Sequence, residues 1–211
     1  MKNLILSSTA TLVGCVAIIS TANAQTIVDP FTTAQAGGGA GATWSSIPSS
    51  LFAQRRVQRF NSATASVGSG AWTFAFTTSS GQANLGYRQD ASLSTMDLSG
   101  IASMSFDITT TGTVNLNWYL EDENDNNLIQ FGALVPVTGT STQTLDFSTA
   151  TFDPGFDLSK VKGMTVSFTA ASSSASANVS NFKYAPVPEP ATMAGLGLGA
   201  LALIRRRRNQ G

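Results

Sequence analysis

The alternation of large apolar with small polar side chains constrains the fold of this chain more than any other feature. Four stretches show it, and their apolar positions are Trp72, Phe74 and Phe76; Met104, Phe106 and Ile108; Val114, Leu116, Trp118 and Leu120; and Met164, Val166 and Phe168. A period of two places these side chains on the buried face of a strand. Weaker candidate strands lie at 55–60, 85–87, 128–131, 142–147 and 179–184.

Turn residues between these stretches set the fold class. Clusters of Gly, Asn, Asp and Ser separate the candidate strands, and no long helical period intervenes. Many short strands with turns between them are typical of antiparallel sheets packed face to face. The sequence therefore predicts an all-β domain, an antiparallel β-sandwich or jelly roll, at 51–185. Residues 25–50 contain a glycine run at 37–41, and we interpret them as a flexible Gly-rich leader or an early edge strand.

The tripeptide Asp-Leu-Ser occurs twice, at 97–99 and at 157–159. An Asp side chain accepts hydrogen bonds from backbone groups two residues further on and so favours a turn. We expect both copies to form a local turn that starts a strand whose apolar residues point inward.

The composition argues against several classes of function. The chain has no histidine, and Cys15 is its single cysteine, so the commonest general base and the usual ligands of zinc are scarce. Residues 25–187 carry seven Lys and Arg against eleven Asp and Glu, a net charge of about −4. A mildly acidic body argues against nucleic acid as a partner. We assign no catalytic residue and expect no cofactor, apart from the calcium ion considered below.

The N-terminus has the order of a secretory signal peptide. Met1-Lys2-Asn3 is followed by a mostly apolar stretch at 4–19 and by Ala22-Asn23-Ala24. Small residues at 22 and 24 predict cleavage after Ala24 and export by the general secretion machinery. An alternative lies inside the same segment, because Leu12-Val13-Gly14-Cys15 fits a lipoprotein cleavage site that would leave a lipidated Cys15.

The C-terminus at 186–211 combines three parts in a fixed order. Pro188-Glu189-Pro190 is followed by an uncharged apolar run at 191–204 and by a cluster of four arginines, Arg205, Arg206, Arg207 and Arg208. Fourteen residues of helix span roughly 21 Å, less than the ~30 Å hydrocarbon core of a bilayer. The run therefore predicts a short, poorly anchored transmembrane helix, and the arginines act as a membrane stop that places its end on the cytoplasmic side.

This order resembles the PEP-CTERM sorting signal of exported bacterial proteins. The resemblance implies that a membrane-embedded exosortase recognises Pro188-Glu189-Pro190, cuts near it and discards the helix and Arg205–Arg208. It further implies an inner membrane intermediate, then a cell-surface or extracellular protein, in a Gram-negative bacterium that makes exopolysaccharide. The alternative from the residues alone is a permanent single-span anchor.

The body carries a second resemblance. Its motifs are Tyr87, Asp97-Leu98-Ser99, Ser105-Phe106-Asp107, Asp146-Phe147, Asp157-Leu158-Ser159 and Val179-Ser180-Asn181-Phe182. In this order they resemble a jelly-roll domain common in PEP-CTERM proteins, which is similar in outline to galactose-binding-like carbohydrate modules. The likeness covers roughly 51–184 and implies a sandwich that contacts carbohydrate.

Three aromatic residues are candidates for contact with sugar rings: Tyr119, Tyr87 and Trp44. Tyr119 lies between Trp118 and Leu120 in the alternating stretch, so it faces away from their apolar stripe, and exposed aromatics often mark recognition. The alternative is that they are ordinary surface residues or belong to a covered face.

The acidic segment 121–127 is a candidate calcium loop. Asp122, Asn124 and Asn126 have the alternate spacing of oxygen ligands in such loops. The twelfth position is Ala133, where a calcium loop has a bidentate Glu. The alternative is a solvated hairpin turn.

We predict an exported, exosortase-processed surface or matrix protein, structural or polysaccharide-associated in an exopolysaccharide or biofilm setting. The first alternative is a secreted hydrolase that uses the carboxylates Asp107, Asp146 or Glu121. A third hypothesis is an ice-binding surface, since Thr138, Thr140, Thr142 and Thr144 would share one face of a strand.

Overall fold

The computed structural model describes residues 25–127 and 134–187. The signal peptide with Ala22 and Ala24, the alternative lipidation site Cys15 and the candidate strand at 128–131 lie outside these ranges. So do Pro188-Glu189-Pro190, the apolar run at 191–204 and the four arginines of the predicted membrane stop, Arg205, Arg206, Arg207 and Arg208. The division of the chain into leader, domain and tail stays a prediction.

Eleven strands and one 3-10 turn form the regular structure of the described residues. The strands are β1 (Thr26–Asp29), β2 (Gln35–Ala36), β3 (Ser45–Ser46), β4 (Gln54–Phe60), β5 (Ala63–Gly68), β6 (Ala71–Phe76), β7 (Gln82–Arg88), β8 (Ile101–Asp122), β9 (Val135–Asp146), β10 (Val161–Ala170) and β11 (Ser176–Pro186). All pairs between these strands are antiparallel, which confirms the predicted all-β class. Within the two described ranges, no helix has the length and hydropathy needed to cross a bilayer.

The long strand β8 divides the sheet into two layers. One edge of β8 pairs with β9, while the other pairs with β11 as far as Thr111 and with β10 from Val114 onward. The change of partner falls at Gly112, whose φ of 77° is accessible to glycine at little cost. One layer therefore holds β2, β5, β6 and β11, and the other holds β10, β7, β4 and β3. The sequence predicted two separate strands here, and a single bent strand replaces them.

Aromatic rings fill the space between the layers. Phe74 of β6 and Phe168 of β10 stack at 4.8 Å between ring centroids, although two strands separate β6 from β10 in the sheet order. Phe106 and Trp118, at opposite ends of β8, approach to 5.2 Å. Trp72 packs on Phe168 at 5.5 Å. These are inward residues of the alternating stretches, so the sandwich predicted from their period of two is confirmed.

Two strands depart from what alternation predicts. The strand β5 was not predicted, because its residues, Ala-Thr-Ala-Ser-Val-Gly, include few large apolar side chains that would mark a buried face. In β11, Val179 and Phe182 are both buried although three positions separate them. Asn181 has a φ of 51° and the register shifts between Ser180 and Lys183. This bulge turns Phe182 back toward the core.

A buried polar network fastens the first residues of the domain to its body. Asp29 and Arg55 are 1% and 0% exposed and form an ion pair with 2.7 Å between Oδ2 and Nη1. The Tyr87 hydroxyl donates to the same Oδ2 at 3.0 Å, and the Phe31 N–H donates to Oδ1 at 2.8 Å. Residues 26–36 are thereby linked to β4 and β7.

Both Asp-Leu-Ser turns have the predicted local geometry. Asp97 Oδ1 accepts from the backbone N–H and hydroxyl of Ser99 at 2.8 and 2.6 Å. Asp157 Oδ1 accepts from the same groups of Ser159 at 2.9 and 2.6 Å. The Leu98 N–H donates to the Leu158 carbonyl at 2.8 Å, so the two turns adjoin. The prediction of a local turn at both copies is confirmed.

The two turns predict a loss of stability in acid. The hydroxyl and N–H of Ser99 and Ser159 hold the pKa values of Asp97 and Asp157 below the ordinary 3.8. A carboxylate with a lowered folded-state pKa stabilises the fold above the unfolded pKa and loses this contribution as pH falls through the folded value. We expect the free energy of unfolding to decline below about pH 4, and to decline less in an Asp97→Asn, Asp157→Asn double variant.

Urea unfolding at a series of pH values between about 6 and 2 measures this effect, since linear extrapolation gives the free energy at each pH. The Ser99→Ala, Ser159→Ala double variant keeps both carboxylates and removes the two hydroxyl donors, so its acid decline should lie between the other two. If the free energy of unfolding declined equally with pH in the wild type and the Asn variant, the two turns would not be the source of the acid-induced loss.

Candidate functional site

The outward side chains of β4, β7, β10 and the 114–122 part of β8 form one polar face. Because the four strands pair in register, these side chains line up in rows across the sheet. We define the polar face by three rows: Gln54, Arg88, Gly163 and Glu121; Arg56, Gly86, Thr165 and Tyr119; and Gln58, Asn84, Ser167 and Asn117. Neighbouring strands lie about 4.8 Å apart, so successive positions in a row are separated by about this distance.

Trp44, from the segment between β2 and β3, lies against this face. The Arg88 guanidinium carbon is 4.0 Å from the centroid of the Trp44 ring, and that of Arg56 is 4.6 Å away. Both distances fit cation–π contacts. A Cβ added at Gly86 would lie at van der Waals distance, 3.5 Å, from the Trp44 ring, so the ring lies directly above β7.

Two adjoining hollows occupy the polar face. The first, of about 160 Å³, is bordered by Trp44, Tyr119 and both arginines. The second, of about 340 Å³, extends over the row of Gln58, Asn84, Ser167 and Asn117. Tyr119, Arg56 and Thr165 border both hollows. All three predicted aromatic residues, Trp44, Tyr119 and Tyr87, border the first hollow.

The polar groups of this face are partly engaged with one another. The Tyr119 hydroxyl donates to Glu121 Oε2 at 3.3 Å, and Arg88 Nε donates to Gln54 Oε1 at 2.8 Å. Among the described residues, Arg56 Nε and Asn117 Oδ1 are buried polar atoms without a hydrogen-bond partner. Buried polar atoms are nearly always satisfied, so these two atoms of the polar face are exceptions, as are Trp72 Nε1 and Asn127 Oδ1 elsewhere in the described residues.

Burial and neighbouring charges shift the pKa values of two ionisable groups on this face. Burial, and then the positive charge of Arg88, lowers the pKa of Arg56 below its ordinary value. Burial, and then the charge of Glu121, raises the pKa of Tyr119 above 10.0. The arginine still carries its charge at neutral pH, and the tyrosine stays a neutral phenol that can donate a hydrogen bond.

Tyr87 borders the first hollow but is turned toward the core, so its burial does not support the prediction that it contacts sugar. The side chain is 1% exposed, and its ring packs against Phe52 at 5.1 Å and Phe182 at 5.5 Å. Its hydroxyl donates to Asp29. A sequence signal was present, because Tyr87 is two positions from the buried Leu85 and so points to the same, inward side of β7.

The segment 122–127 does not fit a calcium loop. Both oxygens of Asp122 already accept hydrogen bonds: Oδ1 from the N–H groups of Asn124 and Asn126 at 2.9 Å, and Oδ2 from Asn126 Nδ2 at 3.1 Å and the Asp157 N–H at 3.0 Å. Donors therefore occupy the lone pairs that a cation would need. The positive φ of 62° falls at Asp125. This geometry is that of a hydrogen-bonded turn, the alternative considered for this segment.

The candidate catalytic carboxylates are held as structural acceptors. Asp107 accepts from Asn181 Nδ2 at 2.8 Å and Thr142 Oγ1 at 2.7 Å, and these bonds lower its pKa. Asp146 accepts from the hydroxyl and N–H of Ser148, which likewise lowers its pKa. A general acid at neutral pH needs a raised pKa. Glu121 pairs with Lys162 at 3.4 Å.

The four threonines of β9 lie exposed on one side of the strand, as their spacing predicted. Thr140 and Thr138 pair with threonines of β8, with 3.1 Å from Thr140 Oγ1 to Thr109 Oγ1 and 2.9 Å from Thr138 Oγ1 to Thr113 Oγ1. Thr142 donates to Asp107. These three hydroxyls are engaged across the strand pair, while Thr144 lies opposite Ser105.

Comparison with known protein families accounts for the C-terminal tail. The family model of the PEP-CTERM protein-sorting motif matches residues 186–208. The tail is a PEP-CTERM sorting motif. The match includes Pro188-Glu189-Pro190, the apolar run and all four arginines, Arg205, Arg206, Arg207 and Arg208, so the resemblance drawn from them is confirmed. The PEP-CTERM motif marks the protein as exported, anchored transiently in the membrane and then located at the cell surface or outside the cell.

Solved structures similar to the body include carbohydrate-binding modules and agarase chains. The family 11 carbohydrate-binding module of a cellulosomal cellulase from Clostridium thermocellum is 16% identical, with a TM-score of 0.42, over 79% of this chain and 97% of the module. A family 29 carbohydrate-binding module is 16% identical, with a TM-score of 0.38, over 72% and 89%. The agarase AgWH50C is 11% identical, with a TM-score of 0.49, over 78% of this chain.

The chain spans 25% of the length of that agarase chain. No curated protein matches the chain in sequence.

Most of the polar face was missed by sequence reasoning. Arg56 and Gln58 alternate with the buried Val57, and Asn84 lies next to the buried Leu85. This alternation shows that the side chains point outward. Which strands lie side by side depends on pairing between distant segments, and local patterns do not contain that information.

Proposed function

We propose that this protein is an exosortase-processed component of the cell surface or extracellular matrix that binds polysaccharide through its polar face. In this proposal, exosortase cleaves the PEP-CTERM tail near Pro188-Glu189-Pro190, and the β-sandwich is the released product. The setting is an exopolysaccharide or biofilm matrix. The bound polysaccharide is the ligand of the sandwich, which has no catalytic task.

The convergence of Trp44 and Tyr119 on one cavity carries the proposal. Sugars present an apolar ring face together with hydroxyl groups, and an aromatic ring beside amide and hydroxyl side chains is complementary to both. Asn84 and Ser167 supply such groups in the adjoining hollow. Asn117 and Arg56 border the same hollow and add an amide and a guanidinium group.

The alternative functions have less support. The lowered pKa values of Asp107 and Asp146 suit structural hydrogen bonding better than proton donation to a glycosidic oxygen. The cross-strand bonds of Thr138 and Thr140 suit a ladder that stabilises the pair of β8 and β9. Both features have an explanation within the fold.

Replacement of Tyr119 tests the proposal. Affinity electrophoresis of the purified full-length protein through gels containing laminarin, barley β-glucan, xylan or agarose should show retardation by at least one polysaccharide. Loss of a central aromatic contact costs about 2 kcal/mol or more, so Tyr119→Ala should weaken that binding by roughly 30-fold. Trp44→Ala is expected to have an effect of similar size.

Two variants serve as controls. Tyr119→Phe keeps the ring and removes the hydroxyl that donates to Glu121, so it should retain most of the affinity. Thr140→Ala lies on β9 outside the polar face and should bind like the wild type. Equal retardation of the wild type and Tyr119→Ala would refute binding at this face, and release of reducing sugar would indicate a hydrolase.

A further inference from the structure

We infer that the polar face binds an acidic polysaccharide, one whose sugar rings carry carboxylate or sulfate groups; this rests on the proposed function. Arg56 and Arg88 border the same 160 Å³ cavity. Their guanidinium carbons lie 4.6 and 4.0 Å from the centroid of the Trp44 ring, so two cations contact a single aromatic side chain.

Neither arginine is matched by a carboxylate of the described residues. The ion pairs found there are Arg55 with Asp29, Lys160 with Glu123, and Lys162 with both Glu121 and Asp125. Arg88 Nε is bonded to the neutral amide of Gln54, and Arg56 Nε has no partner within the described ranges. Two charges that the fold leaves unneutralised are concentrated at a cavity, in a domain whose net charge is about −4.

Two of the three acids near the cavity pair with Lys162, and the third, Asp90, interacts only weakly with Arg88 through its charge. Glu121 borders it together with Lys162, and the two form a pair at 3.4 Å. Asp125 lies 2.5 Å from the Lys162 ammonium. Asp90, two residues beyond Arg88, accepts at Oδ1 from the N–H groups of Ser92 and Ser94 at 2.8 and 3.1 Å. Within the described residues, no carboxylate lies at ion-pair distance from Arg56 or Arg88.

The like charges favour an anion between them. Burial and the charge of Arg88 lower the pKa of Arg56, which shows that the pair is held together at an electrostatic cost. A guanidinium presents paired N–H donors that match the oxygens of a carboxylate or a sulfate. A sugar that rests its ring on Tyr119 or Trp44 can direct an acidic substituent to these arginines, and neutral sugars lack this contact.

Three dextrans with the same backbone test the inference. Binding of the purified full-length protein to dextran, carboxymethyl dextran and dextran sulfate is measured by biolayer interferometry at low salt. Hydrogen bonds to charged groups contribute about 1.5–3 kcal/mol each, so at least one charged dextran should bind tenfold or more tightly than dextran. The difference should shrink as NaCl is raised, because salt screens the attraction. Comparison of the two charged polymers identifies the preferred anion.

Charge variants assign the effect to the cavity. Arg56→Gln and Arg88→Gln should each weaken binding to the charged dextrans by about tenfold without affecting the thermal midpoint strongly, since both side chains are partly exposed. Lys183→Gln removes an equal charge from β11, in the other layer, and should bind like the wild type. An equal loss of binding to the charged dextrans in all three variants would indicate non-specific ion exchange and overturn the inference.

The outcomes separate the inference from the proposed function. In one outcome, the protein binds a neutral polysaccharide through Tyr119, Arg56→Gln and Arg88→Gln leave this binding unchanged, and neither charged dextran is preferred. That result would overturn the inference and leave the proposed function standing. Failure to bind any of the neutral or charged polysaccharides would refute both. A preference for a charged dextran that both arginine variants abolish and Lys183→Gln retains would establish the inference.

Discussion

Replacement of Asp29 by alanine is expected to lower the free energy of unfolding by about 3–5 kcal/mol, since breaking a buried ion pair leaves one charge uncompensated. Arg55 is fully buried and donates to Asp29 Oδ2 at 2.7 Å. Its Nε bond to Gln35 and its Nη2 bond to the Thr33 carbonyl cannot neutralise the guanidinium. Because most small domains have only 5–15 kcal/mol of stability, this variant should unfold at a much lower urea concentration.

A graded series makes the measurement specific. Tyr87→Phe removes one hydrogen bond to Asp29 and should cost about 1 kcal/mol. Glu123→Ala breaks the exposed pair with Lys160, whose side chain is 48% exposed, and should change the urea midpoint very little. A loss for Asp29→Ala no larger than that for Glu123→Ala would show that the N-terminal strand is not held as the structure describes.

Replacement of Phe168 by alanine should cost about 3–5 kcal/mol as well, through the cavity it leaves between the layers. The side chain is fully buried and contacts the rings of Trp72, Phe74 and Phe106 at centroid distances of 5.5, 4.8 and 6.0 Å. Phe168 belongs to β10 and both Trp72 and Phe74 to β6, so the contact holds the two layers together. Thermal unfolding followed by near-ultraviolet circular dichroism measures the loss.

Phe156→Ala is the matched control for this cavity. Phe156 is a partly buried residue at the margin of the core and stacks on Phe152 at 4.8 Å. The same change in side-chain size should therefore cost clearly less there. Equal losses for the two variants would argue against a common aromatic core between the layers.

The alternating stretches predicted the inward residues well because the period of a strand is a local property. Trp72, Phe74, Trp118 and Phe168 all lie in the core, as their spacing indicated. Tyr119 faces outward for the same reason. The strand β5 escaped this reasoning, since Ala and Ser mark neither face, and pairing with β6 defines it.

The candidate site was predictable only in part. Trp44 and Tyr119 were proposed from their residue types, but the sequence contains no reason to place them together. Arg56 and Arg88 reach Trp44 because β4 pairs with β7 and the segment before β3 folds back over both. Tyr87 was also proposed from its residue type, although its spacing of two from the buried Leu85 places it on the inward side of β7.

The amino-acid sequence by itself determined two things: the export signal of the tail, and the all-β class with its inward residues. Both follow from short-range order, namely a motif that is linear along the chain and a side-chain period of two. Only the tertiary structure decided that Asp122 is a turn acceptor, that Asp29 neutralises Arg55, and that two arginines meet at Trp44. These depend on pairing between strands far apart in the chain, where hydrogen-bond register and burial, rather than residue type, fix what each side chain contacts.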